Sequence, residues 1–112
     1  MKNNKLFLIF GAVFILMYSC SQKDMKIEHI VDAACGQCQF RMNQKSGCDL
    51  AIRINSDHYF VEGSNIDEHG DPHSKSGLCN SVRKAKVKGA IKNGAFHTEV
   101  FTLLNNNSQK TE

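Results

Sequence analysis

Residues 85–104 read AKVKGAIKNGAFHTEVFTLL, and this stretch decides the fold. From Ala85 to Lys92 small or apolar side chains alternate with lysines, which is the period-2 pattern of a half-buried strand. Asn93-Gly94 follows, and this dipeptide is the strongest short signal for a hairpin turn. The chain then returns as a second apolar strand that ends near Leu104. The stretch therefore predicts an antiparallel hairpin.

The alternation in this hairpin is irregular at two places. It slips from Glu99 to Phe101, which predicts a β-bulge in the second strand. Gly89 interrupts the first strand, and a glycine inside a strand indicates a bend or a second bulge.

Upstream of the hairpin the sequence predicts three more strands and one short helix. The strands are expected at Ile27–Ala34, Asp49–Asn55 and His58–Glu62, followed by a loop over residues 63–76 and a helix over Leu78–Lys84. This order favours a mainly β domain, a small five-stranded OB-like Greek-key barrel with one short helix. A half-open sheet of the same five strands is the alternative.

The chain of 112 residues is long enough for one small domain. Residues 1–19 are predicted to be a signal peptide of the lipoprotein type, because a short basic start precedes an apolar run, Leu6–Tyr18, that is too short to span a bilayer. Cys20 follows this run and is the expected lipidation site, with residues 20–26 as lipidated cysteine and tether. The single domain is assigned to residues 27–104, and residues 105–112 are expected to form a disordered tail.

These features predict a bacterial envelope protein anchored to the outer membrane by lipid, on its periplasmic or surface face. A cleaved soluble secretory protein and an uncleaved anchor are the second and third interpretations. The formal charge of +3 is too small to indicate nucleic acid. The expected partners are therefore the membrane, through the anchor, and a protein of the envelope.

Four cysteines remain after Cys20, and three interpretations stay open for them. An even number of thiols in an exported domain predicts two disulfides. A C-x-x-C segment is also typical of thiol–disulfide exchange, although the βαβ units of a thioredoxin-like fold are missing. Finally, thiolates are zinc ligands, but a four-sulfur site would form only if the fold brought all four together. The residues concerned are Cys35, Cys38, Cys48 and Cys79.

Residues 67–73, DEHGDPH, contain two histidines and three carboxylates. Imidazole with carboxylate or thiolate suits zinc or copper, so His69 and His73 are the leading predicted metal ligands. Cys79 is the next candidate, and Asp71 is a further ligand or a partner that orients an imidazole. The alternative is an ordinary solvated loop.

Several motifs together resemble a family of small bacterial proteins of unknown function, many of which have a signal peptide or a lipoprotein cysteine. The motifs are CGxCQF from Cys35, GCDLA from Gly47, HGDxH from His69 and RKAxVxG from Arg83. The resemblance implies a shared fold and a shared set of cysteines and histidines, and it supplies no activity.

The sequence contains no phosphate-binding glycine loop, no glycosidase-like carboxylate pair and no Ser-His-Asp arrangement, so we expect binding rather than catalysis. The leading hypothesis is a small envelope binding module with a zinc or copper site. The alternatives are a disulfide-stabilised structural or interaction module and a C-x-x-C redox protein.

Overall fold

The computed structural model describes residues 24–105, which form five strands, one helical turn and one 3₁₀ turn. The predicted signal peptide, Cys20 and residues 106–112 of the predicted tail lie outside the described residues. Within residues 24–105, no helix has the length and apolar character needed to cross a bilayer. In chain order the elements are β1 Met25–Cys35, α1 Gly36–Gln39, β2 Leu50–Ile54, β3 Asp57–Glu62, the 3₁₀ turn Ile66–His69, β4 Arg83–Lys92 and β5 Ala95–Leu103.

The five strands close into a barrel in the order β1-β2-β3-β5-β4. Strands β1, β2 and β3 are antiparallel neighbours, and β4 returns to pair with β1, which is the Greek-key order. A short parallel pairing between β3 and β5 closes the barrel. The predicted mainly β barrel of five strands is confirmed. Its long first strand pairs with both β2 and β4, so it joins the two halves of the sheet.

The β4–β5 hairpin contains the predicted turn and a single bulge. Asn93 and Gly94 both have positive φ, 52° and 76°, as a type I′ turn requires. Lys88 pairs with Val100 while Gly89 pairs with Thr98, so Glu99 is the extra residue. A side chain on Gly89 would collide with the carbonyl oxygen of His97. The two irregularities in the sequence are therefore the two sides of one bulge.

The barrel interior is filled by the alternating apolar side chains of its strands. Phe96, Ile52 and Val87 are almost completely buried there. Burial of such side chains is the main favourable contribution to folding. The full set of buried residues in this cluster is Ile27, Val31, Ala33, Ile52, Ala85, Val87 and Phe96.

A second apolar cluster lies on the outer face of β1 and β2. Phe40 and Met42, which follow α1, pack over Ala34 and Ala51 beside the Phe60 ring. Gly36 begins α1 at this point, and a Cβ there would approach Phe60 and Met42 to within 2.7 and 2.9 Å. The segment after β1 is thus folded tightly back on the sheet.

The short helix lies elsewhere than predicted. Residues 78–80 form a turn, in which Asn80 N–H donates to Gly77 at 3.0 Å, and β4 begins at Arg83. A helix over Leu78–Lys84 was wrong because Arg83 and Lys84 pair with Ala33 and Asp32 of β1. Sheet pairing outweighs the weak local helical preference of this segment.

Candidate metal centre

One end of the barrel brings together cysteines from three separate parts of the chain. Cys35 ends β1, and Cys38 lies in α1. Cys48 precedes β2 by two residues, and Cys79 lies in the connection between β3 and β4. The backbone joins two of these parts directly, since Cys35 N–H donates to the Leu78 carbonyl at 2.8 Å. The fold therefore brings all four cysteines together, as a four-sulfur site requires.

The four Sγ atoms all lie within 4.8 Å of one another. The distance between the Sγ atoms of Cys35 and Cys48 is 2.8 Å. Zinc bonded to sulfur at about 2.3 Å in a tetrahedron separates its sulfur ligands by about 3.8 Å. Within residues 24–105 the four thiols are free. Small movements of the side chains would give them the spacing of a tetrahedral site.

The cysteines differ in their exposure to solvent. Cys35 is fully buried and Cys79 is 8 % exposed. Cys48 is half-buried, and Cys38 is exposed. Cys35 and Cys79 belong to an apolar cluster with Leu50, Ile66 and Leu78. The inner side of the centre is therefore dry, which strengthens electrostatic interactions there, and its outer side faces solvent.

Gln37 and Gln39 hold the surrounding backbone in place. The Gln37 side chain accepts a hydrogen bond from Asp49 N–H at 2.9 Å and donates one to the Asp49 carboxylate at 2.7 Å. The Gln39 amide donates to the carbonyl of Cys79 at 2.8 Å. These bonds join α1 to the segments that contain Cys48 and Cys79. They position groups around the centre, as polar neighbours of metal ligands usually do.

The pKa values of the thiols are shifted in different directions. Burial raises the pKa of Cys35, but the Cys48 thiol, the Cys38 backbone N–H and the other two thiols outweigh burial and lower it. Proximity to Cys35 is the main cause that raises the pKa of Cys38 to about 11. Burial and then Cys35 raise the pKa of Cys48. Cys35 is thus the favoured thiolate of the four, and a metal ion bound here would displace protons from its neighbours.

Of the predicted loop ligands, only Cys79 lies in this centre. In the part of the chain that the structure describes, His69, His73 and Asp71 belong to no group of potential ligand atoms within 4.8 Å. His69 instead contacts the Ser64 hydroxyl at 2.7 Å, and its ring lies 4.7 Å from the Phe101 ring. Burial lowers the pKa of His69 despite the nearby Glu68. Metal binding by the two histidines and Asp71 stays a prediction.

Asp71 and His73 also have structural contacts of their own. The Asp71 carboxylate accepts the backbone N–H of His73 at 3.0 Å, which is an Asx turn. The turn leads to a contact between Cys79 N–H and the Pro72 carbonyl at 2.9 Å. The loop of residues 67–73, which the sequence predicted as the metal site, thus helps to position Cys79 of the cluster.

A cavity of about 350 Å³ adjoins the cluster on the Cys48 side. Carboxylates of Asp49, Asp67 and Glu68 line it together with Ser64. Glu68 closes the capping box of the 3₁₀ turn through Asn65. Asp67 and Glu68 of the DEHGDPH loop therefore line the same cavity as Cys48.

Most of the described chain matches one protein family. Residues 29–104 match the model of a family described as a family of unknown function, DUF6370. The chain belongs to this family. No curated protein and no solved structure matches the chain. Since the match includes all four cysteines of the cluster, the centre lies wholly within the family domain.

Proposed function

We propose that this protein is a metal-binding module of the bacterial cell envelope, with one ion held by Cys35, Cys38, Cys48 and Cys79. The observation that supports this most strongly is the spacing of their Sγ atoms, all within 4.8 Å. Four thiolates around one point are the usual ligand set of a closed zinc site.

Zinc is the ion that fits this ligand set best. A tetrahedral set of sulfurs is typical of zinc, while copper(I) also prefers thiolates and usually takes fewer of them. Zinc(II) with four thiolates has a net charge of −2, and copper(I) would leave −3 beside the apolar cluster under Cys35. Burying the larger charge costs more free energy. We therefore rank zinc first and copper(I) second.

The ion would stabilise the barrel end that has the least regular structure. Residues 63–82 connect β3 to β4 and contain a single 3₁₀ turn. Leu78, next to Cys79, accepts a backbone hydrogen bond from Cys35, and Asp49, next to Cys48, accepts one from Gly36. A bound ion would join these segments through its bonds. Such ions contribute directly to the folding free energy of small domains.

Metal content per chain tests the proposal. The full chain is purified without chelator or histidine tag, and zinc and copper are measured by elemental analysis. We expect one zinc per chain, and loss of the zinc in Cys79→Ser. The His69→Ala/His73→Ala variant is expected to keep it. Loss of zinc in the histidine variant, with the Cys79→Ser content unchanged, would contradict this assignment of ligands.

A disulfide-stabilised interaction module is the second candidate. The 2.8 Å distance between the Cys35 and Cys48 sulfurs favours it, because little movement separates this pair from a bond. Disulfides also persist in exported proteins. A metal-free chain with all four thiols oxidised would support this candidate. A single easily reduced bridge between Cys35 and Cys38 would indicate the redox alternative.

The location of the protein in the cell envelope is a separate part of the proposal and has its own test. We propose that Cys20 is lipidated and that the anchor holds the domain at the outer membrane, where an envelope protein is its partner. More than one acyl chain on a cysteine gives stable anchoring. Labelled palmitate should be incorporated into the chain and not into Cys20→Ala. Equal labelling of both would contradict the anchor.

A further inference from the structure

Hydrogen bonds hold the backbone around all four sulfurs of the cluster. Cys35 N–H donates to the Leu78 carbonyl at 2.8 Å. Gln37 makes two hydrogen bonds to Asp49 and Gln39 makes one to the Cys79 carbonyl, which joins α1 to the segments that contain the other cysteines. The four cysteines therefore differ less in how their backbone is anchored than in how far their side chains face solvent.

Cys38 is the cysteine of the cluster whose side chain is most exposed to solvent. It lies in a four-residue helix whose N-cap residue makes no side-chain capping bond, and Gly36 is the buried residue of this helix. Its side chain is exposed, whereas Cys35 and Cys79 are buried. A ligand that faces solvent on a single helical turn can leave and rebind with little disturbance of the core.

We propose that Cys38 is the exchangeable ligand of the centre, through which the bound ion passes to a thiol-bearing acceptor. This inference rests on the proposed metal-binding function and assigns that site a transfer role. In the exchange step the acceptor thiol bonds to the ion through sulfur, and the bond between the ion and Cys38 breaks. The proton of the acceptor thiol moves to the Cys38 sulfur. No electrons are transferred, and the ion has four sulfur ligands before and after the exchange.

The course of β1 suits such a role. This strand begins at Met25, so it includes the last two residues of the predicted tether 20–26, and it ends at Cys35 in the cluster. At about 3.3 Å per residue its two ends lie roughly 30 Å apart. The exposed side of the centre is thus at the end of the strand remote from the proposed anchor. A soluble acceptor could approach it there.

Release kinetics test the proposal. The full chain is loaded with zinc, its zinc content is measured, and release to an excess of a chromophoric chelator is followed as the concentration of glutathione is varied. We expect the release rate to rise in proportion to glutathione concentration, because the thiol enters before Cys38 leaves. S-methylglutathione, whose methylated sulfur has neither a free thiol nor a disulfide bond, is the control and should have no such effect.

Alkylation identifies the leaving ligand. Iodoacetamide should modify Cys38 of the zinc-loaded chain before the other three cysteines, as measured by peptide mass. Cys38→Ser should still bind zinc through three thiolates, whereas Cys79→Ser should not. Both experiments give a result that does not depend on an assay of activity.

The results of these experiments distinguish a wrong transfer role from a wrong metal site. A chain that binds no zinc at the loading step overturns both proposals. Bound zinc whose release rate does not change with glutathione indicates a closed structural centre, and overturns only the transfer role. First alkylation at Cys48, through the adjoining acidic cavity, also overturns the assignment of Cys38.

Discussion

Gln37 lies between the two cysteines of the C-x-x-C segment, and both ends of its side-chain amide contact Asp49. Its carbonyl oxygen is also 3.6 Å from the Cys35 sulfur. At the scale of single residues, the centre therefore depends on a side chain that is not itself a ligand. This role could not be predicted from the sequence, because the partners Gln37 and Asp49 are twelve positions apart.

Replacing Gln37 should weaken metal binding without removing it. Gln37→Ala deletes both hydrogen bonds to Asp49, so Cys48 is positioned less precisely. We expect zinc affinity to fall about tenfold, as is common when a group that orients ligands is removed. Competition with a chromophoric chelator measures this. Gln44→Ala changes an exposed glutamine of the next loop and should leave the affinity unaltered; equal losses in both variants would argue against a positioning role.

A second residue-scale prediction concerns Asp32 on β1. Its carboxylate contacts Lys84 at 2.6 Å and Arg53 at 2.8 Å. Burial raises the pKa of Asp32, but the hydrogen bonds and charges of these partners outweigh burial and hold it below 3.8. The stabilisation is therefore present above about pH 3.8 and is lost as pH falls through the lower pKa of the folded state.

Asp32→Asn should lower the free energy of unfolding by about 1 kcal/mol at pH 7, a modest value because the cations are partly exposed. Urea unfolding at pH 7 and at pH 2 measures the difference between variant and native chain. The difference should shrink at pH 2. Glu28→Gln, an exposed change on the same strand, is the control. A difference that is the same at both pH values would show that charge is not its cause.

At the scale of elements, the hairpin is the most predictable part of the molecule. Alternation, Asn93-Gly94 and Gly89 are all local signals, and each corresponds to a local feature of β4 and β5. The segment Leu78–Lys84 was mispredicted because its conformation is set by pairing with β1, far away in sequence. The local sequence pattern thus predicts elements whose partners are close along the chain. It fails where pairing with a strand distant in sequence determines the conformation.

The bulge gives a prediction at this scale. Gly89→Ala should destabilise the domain by about 2 kcal/mol or more, because its Cβ would meet the His97 backbone and the Phe96 ring. Gly94→Ala is the matched control, since Gly94 has positive φ but open space around it. It should cost about 1 kcal/mol, for backbone strain alone. Thermal unfolding of both variants checks the order, and a larger loss for Gly94→Ala would contradict it.

At the scale of the whole molecule, the barrel could be predicted and the centre could not. The spacing of the cysteines left disulfides, redox chemistry and metal binding all open. Only closure of the barrel, with β1 beside both β2 and β4, brings Cys35, Cys48 and Cys79 to one end. The DEHGDPH loop was the densest polar cluster in the sequence. In the structure its backbone positions Cys79, while its histidines lie outside the cluster.

Removing the ion should loosen one end of the barrel first. When free zinc exceeds its dissociation constant a hundredfold, bound zinc adds about 3 kcal/mol of stability. Treatment with a chelator should therefore lower the melting temperature, and amides of residues 63–82 should exchange hydrogen faster. Amides of the β4–β5 hairpin should change least, because they pair within the strands. Equal acceleration throughout residues 24–105 would show that the ion stabilises the whole barrel uniformly.

The most direct test of the account is a native mass spectrum of the full chain, exported to a periplasm and purified without chelator or histidine tag. One spectrum measures both the bound metal and the number of thiol protons lost. We predict a chain with one zinc ion that is released on unfolding and leaves four free thiols at Cys35, Cys38, Cys48 and Cys79. A metal-free chain whose mass shows two disulfides would contradict the metal centre and support a purely structural role for the cysteines.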